Sequence, residues 1–205
     1  MVLMCFNLCG IKIEIKFLFV AAMVLLMLLD TSGVMLCAFL SSAVHELAHL
    51  TALLALKGEV MAVSFELFGI RITRVDALLY WEELLVLLAG PIANLLIFVL
   101  CAFSGSQSVS LISAVNLWIG VFNLLPVGAL DGGRAAELIL SKLFGEKKGG
   151  RAAMLLSLLF IIPLFVIGLV FLFRPSHNFS LLVVCVFLAM SLLPRLRANR
   201  AKVML

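Results

Sequence analysis

The sequence predicts an all-α polytopic membrane protein, with about six transmembrane helices and a short β-hairpin between the second and third. Three observations predict it. Of the 205 residues, 65% are hydrophobic and 13% charged, with a mean hydropathy of +1.29; an ordinary soluble domain is roughly 45–50% apolar and about a quarter charged. That leaves too little polar material to cover a globule in water, so the apolar excess faces lipid. Apolar stretches near the length of a bilayer crossing recur along the chain, and the basic residues fall in alternate connections between them.

A spanning helix needs about 20 mostly apolar residues. Stretches near 15–29, 34–56, 84–103, 109–126, 152–173 and 179–194 qualify or nearly do. The first is short, because Asp30, Thr31, Ser32 and Gly33 end its apolar run from Phe17 to Leu29; no Ala-x-Ala cleavage site marks it as a signal peptide. Between the second and third spans, Val63, Phe65 and Leu67 alternate with Ser64 and Glu66, and Ile70 and Ile72 with Arg71 and Thr73. A period of two marks a strand pair, turning at Phe68 and Gly69. Its edge offers free backbone groups to an extended peptide.

Translocating Lys or Arg is disfavoured, so short basic connections stay in the cytoplasm. Fourteen of the 15 basic residues lie before the first span, between the second and third, between the fourth and fifth, or in the tail; only Arg174 falls on the opposite face. Both termini are therefore expected in the cytoplasm. The basic residues form no stripe of the kind that binds nucleic acid. Cys5, Cys9, Cys37, Cys101 and Cys185 match no common zinc spacing and read as reduced thiols. One integral-membrane domain over residues 1–205 is expected.

Ionisable groups inside spans are costly and usually functional. The second span holds HELAH, with His45, Glu46 and His49. Positions i and i+4 share a helix face, so both imidazoles reach one metal ion, with Glu46 beside its water. This is the zincin arrangement, in which the Glu is a general base. A catalytic zinc takes three protein ligands and an open position. His177 falls in an outward loop and reads as a solvated histidine. Asp131 sits in NLLPVGALDGG, residues 123–133, where Pro126 breaks the helix and the paired glycines allow close backbone packing. It reads either as the third ligand or as a turn or cap residue of Asp-Gly. GPIAN, residues 90–94, reads as close helix packing, with Asn94 able to hydrogen-bond across helices.

Together, HELAH, GPIAN and NLLPVGALDGG, in that order on separate spans, resemble the site-2 protease family of intramembrane zinc metalloproteases, most nearly its bacterial branch typified by the stage IV sporulation protein FB. The resemblance covers nearly all of the chain. It implies that His45, His49 and Asp131 hold one Zn2+ per chain, that Glu46 is the acid/base residue, and that Asn123 and Pro126 belong to the family's second motif, in which the Asn holds the substrate or the developing oxyanion. It further implies hydrolysis of a peptide bond in or near a membrane segment of a substrate protein, in a bacterial cell membrane, with pro-sigma factor processing in sporulation as the expectation from that branch. A membrane-protein substrate and membrane regulatory proteins are the expected partners, and nucleic acid is not. The chain stops soon after the sixth span, so neither the CBS nor the PDZ domain of the family's branches is expected. The competing reading is a non-catalytic membrane scaffold or chaperone that retains the fold.

Overall fold

The computed structural model describes residues 2–8, 10–66, 69–74, 78–103, 107–173 and 180–201. It divides into two compact units, Met1–Val121 and Phe122–Leu205. His177, Arg174, Cys9, the hairpin turn at Phe68 and the tail from Lys202 lie outside the described residues.

The first unit opens with two strands that the sequence reading did not anticipate. β1 (Val2–Leu8) and β2 (Ile11–Lys16) pair antiparallel around Gly10, whose φ of +84° is the left-handed turn conformation a glycine adopts without strain. The chain then runs straight into α1 (Phe17–Leu29) and, after a tight connection, α2 (Val34–Ala55). In that connection the Asp30 carboxylate accepts from the Ser32 hydroxyl at 2.6 Å, the Ser32 amide at 2.9 Å and the Met35 amide at 2.7 Å. It thereby satisfies a donor that the start of α2 leaves open. The expected hairpin follows as β3 (Val60–Glu66) and β4 (Gly69–Arg74), with Val63 opposite Ile72 and Phe65 opposite Ile70. It does not stand alone. β3 pairs in parallel with β2, Lys12 to Ala62 through Ile15 to Phe65, giving a four-stranded sheet in the order β1-β2-β3-β4. The fold is therefore mostly helical with a small mixed sheet rather than all-α.

Side-chain contacts reinforce the non-local pairing. Glu14 of β2 bonds Lys12 at 2.6 Å and receives the Ser64 hydroxyl of β3 at 3.4 Å, while the Phe19 ring of α1 lies 5.5 Å from that of Phe65. The sheet leads into α3 (Tyr80–Ala102), where Glu82 accepts the Leu79 amide at 2.9 Å and Arg74 of β4 pairs with Glu83. α4 (Gln107–Asn123) ends at the unit boundary.

In the second unit a loop from Leu124 to Leu130 precedes α5 (Asp131–Phe144), a helix where the sequence predicts a connection; α6 (Glu146–Leu172) and α7 (Ser180–Ala201) follow. α5 separates from α6 at Gly145, whose φ is +80°. The loop folds back over the start of α5. A Cβ on Gly132 would stand 2.1 Å from the Leu124 carbonyl oxygen, and one on Gly133 2.0 Å from that of Val127. Both glycines are therefore demanded by backbone approach. Ser157 of α6 anchors the same loop, its hydroxyl accepting the Gly128 amide at 3.0 Å. Val127, Ile161, Leu188 and Leu192 form the core of this unit.

Among the described residues three helices are long and apolar enough to cross a membrane: α2, α3 and α6. The other three expected spans hold shorter apolar helical runs, Phe17–Leu29, Val109–Asn123 and Leu181–Leu192. β2 takes the residues before Phe17, and α4 stops three residues before Pro126. Leu28, Leu100, Trp118 and Leu159 are among the many large apolar side chains left exposed, a surface that water would not tolerate and lipid accepts. The protein is an integral membrane protein. Cys5, Cys37, Cys101 and Cys185 are free thiols.

Candidate metal centre

HELAH folds as helix because it lies in a run of Ala, Leu and Val without Pro or Gly, residues 34–56. The i, i+4 spacing then sets His45 and His49 one above the other on the inward face of α2, and both are buried, as are Ser41 and Leu53 on the same stripe. Glu46, the next residue after His45, is half-buried.

The two rings meet edge to face with their centroids 4.7 Å apart and their Nε2 atoms 3.1 Å apart. Their opposite nitrogens are engaged. Nδ1 of His49 lies 2.6 Å from the Val86 carbonyl of α3, and Nδ1 of His45 lies 2.6 Å from Asn94 Oδ1 of the same helix. A carbonyl oxygen only accepts, so His49 Nδ1 carries the hydrogen. The side-chain amide of Asn94 is oriented by two further bonds, its Nδ2 donating to the Ser41 carbonyl at 3.1 Å and to Asn116 Oδ1 at 2.7 Å. Its oxygen therefore faces His45, and that Nδ1 also carries the hydrogen. These tautomer assignments follow from the partners. With a hydrogen on Nδ1, a neutral ring presents its lone pair at Nε2, and the two Nε2 atoms stand 3.1 Å apart. Such an arrangement suits a shared cation, because neutral imidazole with Nδ1–H held by a carbonyl or amide is the ordinary form of a histidine metal ligand.

Glycine at 90 makes room for the pair. A Cβ there would lie 2.4 Å from His49 Nε2 and 2.8 Å from His45 Cε1. Its neighbour Pro91 is buried and lacks the N–H that would bond the Leu87 carbonyl one turn back. GPIAN therefore does more than pack helices: Gly90 clears the space and Asn94 holds a ring. The sequence carried a signal for this in the single Asn of an otherwise apolar span.

In the second unit, Asp131 is the first residue of α5 and half-buried, where a carboxylate is favoured by the helix N-terminus. Asn123 ends α4 and is half-buried, and the Pro126 carbonyl accepts from the Ser157 hydroxyl at 3.3 Å. The structure thus joins His45 to His49 directly, while Asp131, Asn123 and Pro126 are held on and around the loop that Gly132, Gly133 and Ser157 fix.

Apolar helices that bury a pair of histidines with their Nε2 atoms converging define a membrane protein with a histidine pair able to hold a metal ion. Comparisons with known proteins find likenesses to metalloproteases. Residues 104–167 match the model of peptidase family M50. A zinc metalloprotease of Methanocaldococcus jannaschii is 27% identical over 89% of this chain and 57% of its own length. The stage IV sporulation protein FB of Bacillus subtilis is 30% identical over 80% of this chain and 58% of its own. Among solved structures, a site-2 protease from M. jannaschii superposes with a TM-score of 0.66, at 24% identity and 92% coverage of both chains, which shows the fold. The chain is thus similar to peptidase family M50 over residues 104–167 and shares its fold with a solved site-2 protease. It spans less than three-fifths of the length of these curated relatives, and the sporulation protein is one of them beside an archaeal metalloprotease of similar identity.

Proposed function

We propose that the protein is a zinc-dependent endopeptidase that cleaves a membrane-associated segment of another protein. The observation that carries this reading is the convergence of His45 and His49 Nε2 at 3.1 Å with both Nδ1 atoms held by acceptors. The donor set fits zinc: two neutral imidazoles, with Asp131 proposed as the third ligand. Support for Asp131 is its place in LDGG after the helix-breaking Pro126, in a loop whose glycines hold the backbone tightly. A zinc ion bound there supplies Lewis acidity, polarising a carbonyl and bringing water toward neutral pKa.

The remaining steps belong to the chain's own side chains. Glu46 takes the proton of the attacking water as the scissile carbonyl is attacked, then returns it to the leaving amine. Asn123 donates to the developing oxyanion from the end of α4. The substrate must unwind to expose a peptide bond, since a helix satisfies its own backbone. The edge strand β4 offers it extended pairing.

We further infer six passes, with both termini in the cytoplasm, supported by the placement of 14 of the 15 basic residues in alternate connections. The relative from sporulation makes a pro-sigma factor one substrate to try; other membrane-bound regulatory proteins are the wider class. The test is Glu46→Gln, which keeps the metal and abolishes cleavage of a co-expressed substrate; a variant that still cleaves refutes the mechanism. Asp131→Asn should lower zinc content per purified chain, and full occupancy would remove Asp131 from the ligand set.

A further inference from the structure

His45 and His49 are held by unlike means. Nδ1 of His49 is held by a backbone carbonyl, which no side-chain substitution alters, whereas Nδ1 of His45 is held by the Asn94 side chain. Asn94 is 0% exposed and Asn116, behind it, 1%. An amide side chain presents either an oxygen or an NH2, and only the oxygen suits Nδ1–H of His45. What selects the oxygen is the layer behind. Asn116 Oδ1 accepts from Asn94 Nδ2 at 2.7 Å, and Asn116 is itself oriented because its Nδ2 donates to the Ile112 carbonyl and to Ser41 Oγ, both at 2.9 Å. The network begins and ends on α2, since Asn94 also donates to the Ser41 carbonyl.

We propose that Asn94 and Asn116 form a buried relay that sets the tautomer and ring angle of His45, so that α4, through Asn116, tunes metal affinity from a residue that touches neither histidine. The inference rests on reading His45 and His49 as metal ligands. Asn94 is then a positioning residue acting directly on a ligand, and Asn116 one acting through Asn94. The two asparagines and Ser41 tie α2, α3 and α4 together at the depth of the histidines. Without Asn116, the Asn94 amide keeps one acceptor of two, and its oxygen is no longer held so firmly toward His45. Without Asn94, the buried His45 Nδ1 loses the acceptor at 2.6 Å and the ring samples its other tautomer, whose Nε2 carries a hydrogen and binds no metal.

The experiment uses the full chain in detergent micelles with Co2+ as the probe, read by visible absorbance, together with 15N-histidine NMR of the metal-free protein. Asn94→Ala should weaken cobalt binding by about 10–100-fold, the usual range for groups that support a ligand, and Asn116→Ala by about 3–10-fold. Because one acts through the other, the double variant should bind within about 2-fold of Asn94→Ala alone, a failure of additivity expected within one network. The NMR spectrum should show His45 with Nδ1–H in the wild type and a tautomer mixture in both single variants, with His49 unchanged. A role confined to helix packing would lower the melting temperature and leave the His45 tautomer as in the wild type. Asn116→Ser, whose hydroxyl is too short to reach Asn94, gives the same readout if the alanine variant does not fold. Unchanged tautomer and affinity in the Asn116 variants, or effects that multiply in the double variant, overturn the relay. Absence of stoichiometric cobalt on the wild type instead overturns the metal reading on which it rests.

Discussion

Replacing Gly90 by alanine separates the demands of the helix from those of the site. A Cβ at this position falls 2.4 Å from His49 Nε2, 2.7 Å from its Cε1 and 2.8 Å from His45 Cε1. Ordinary contact distances are about 3.5 Å or more, so the His49 ring must retreat by about 1 Å. It cannot do so freely, because the 2.6 Å bond from Nδ1 to the Val86 carbonyl fixes its far side. Metal ligands tolerate distance errors of about 0.2 Å, and a ring displaced by about 1 Å ceases to be one. Helix propensity favours the alanine by about 1 kcal/mol; against this stand an overpacking cost of about 1–3 kcal/mol and about 1 kcal/mol for the strained hydrogen bond. The metal-free protein should therefore lose only about 1–3 kcal/mol and stay folded, while zinc per chain falls to a small fraction of the wild-type value and cleavage with it. Zinc by plasma mass spectrometry on purified protein, paired with a thermal melt in detergent, reads both. A Gly90→Ala protein with full zinc occupancy would refute the placement of these rings at a metal centre.

Other expectations concern the supports of the site. Gly133→Ala drives a Cβ to 2.0 Å from the Val127 carbonyl oxygen, a backbone atom that cannot turn aside; the loop should be displaced, with a loss of about 3 kcal/mol or more, seen as reduced folded yield and a lower melting temperature. Ser157→Ala leaves the buried Gly128 amide without the hydroxyl it donates to, at a cost of about 1–3 kcal/mol, and protease susceptibility between Leu124 and Leu130 should rise. Hydrogen bonds from the Ser32 hydroxyl, then from the Met35 and Ser32 amides, hold the Asp30 carboxyl below its ordinary value of 3.8. A depressed folded value means that the stabilisation is present above pH 3.8 and is lost as pH falls through the lower folded value. Asp30→Ala should speed amide exchange at Met35 at neutral pH, and the wild type should show the same acceleration only in acid below that range.

Much of the site was legible because the sequence offers few polar groups to choose from. Two of three histidines fall in one span at i, i+4, and only burial on one helix face accommodates them. The boundaries of α2 follow from the same composition, 34–56 expected against Val34–Ala55 found. GPIAN was harder, because what gives Gly90 and Asn94 their roles is the partner helix they face, and no spacing within one span names it. The strand pair at the N-terminus was legible and overlooked: Ile11, Ile13 and Ile15 alternate with Lys12, Glu14 and Lys16, yet those lysines register equally as topology-setting charge. Their strand finds its partner about fifty residues later, in β3, a separation that local patterning does not see. α5 was missed for a related reason, its charged residues reading as connection when they form one face of a helix over Asp131–Phe144.

The parallel ladder between β2 and β3 imposes a parity rule on the proposed topology. Strands of one sheet lie on one side of a bilayer, since hydrocarbon admits no open sheet edge; the chain between Lys16 and Val60 must therefore traverse the bilayer an even number of times. α2 is long enough for one traverse, and in the six-pass topology proposed above α1 makes the other, although its 13 residues reach only about 20 Å at 1.5 Å per residue against a hydrocarbon thickness of about 30 Å. The lipid has to adapt where the helix does not, by thinning around α1. On that topology the histidine-bearing helix would enter the membrane beside a dimple, and the distance that water and the proposed substrate travel would be set by lipid thickness as well as by protein.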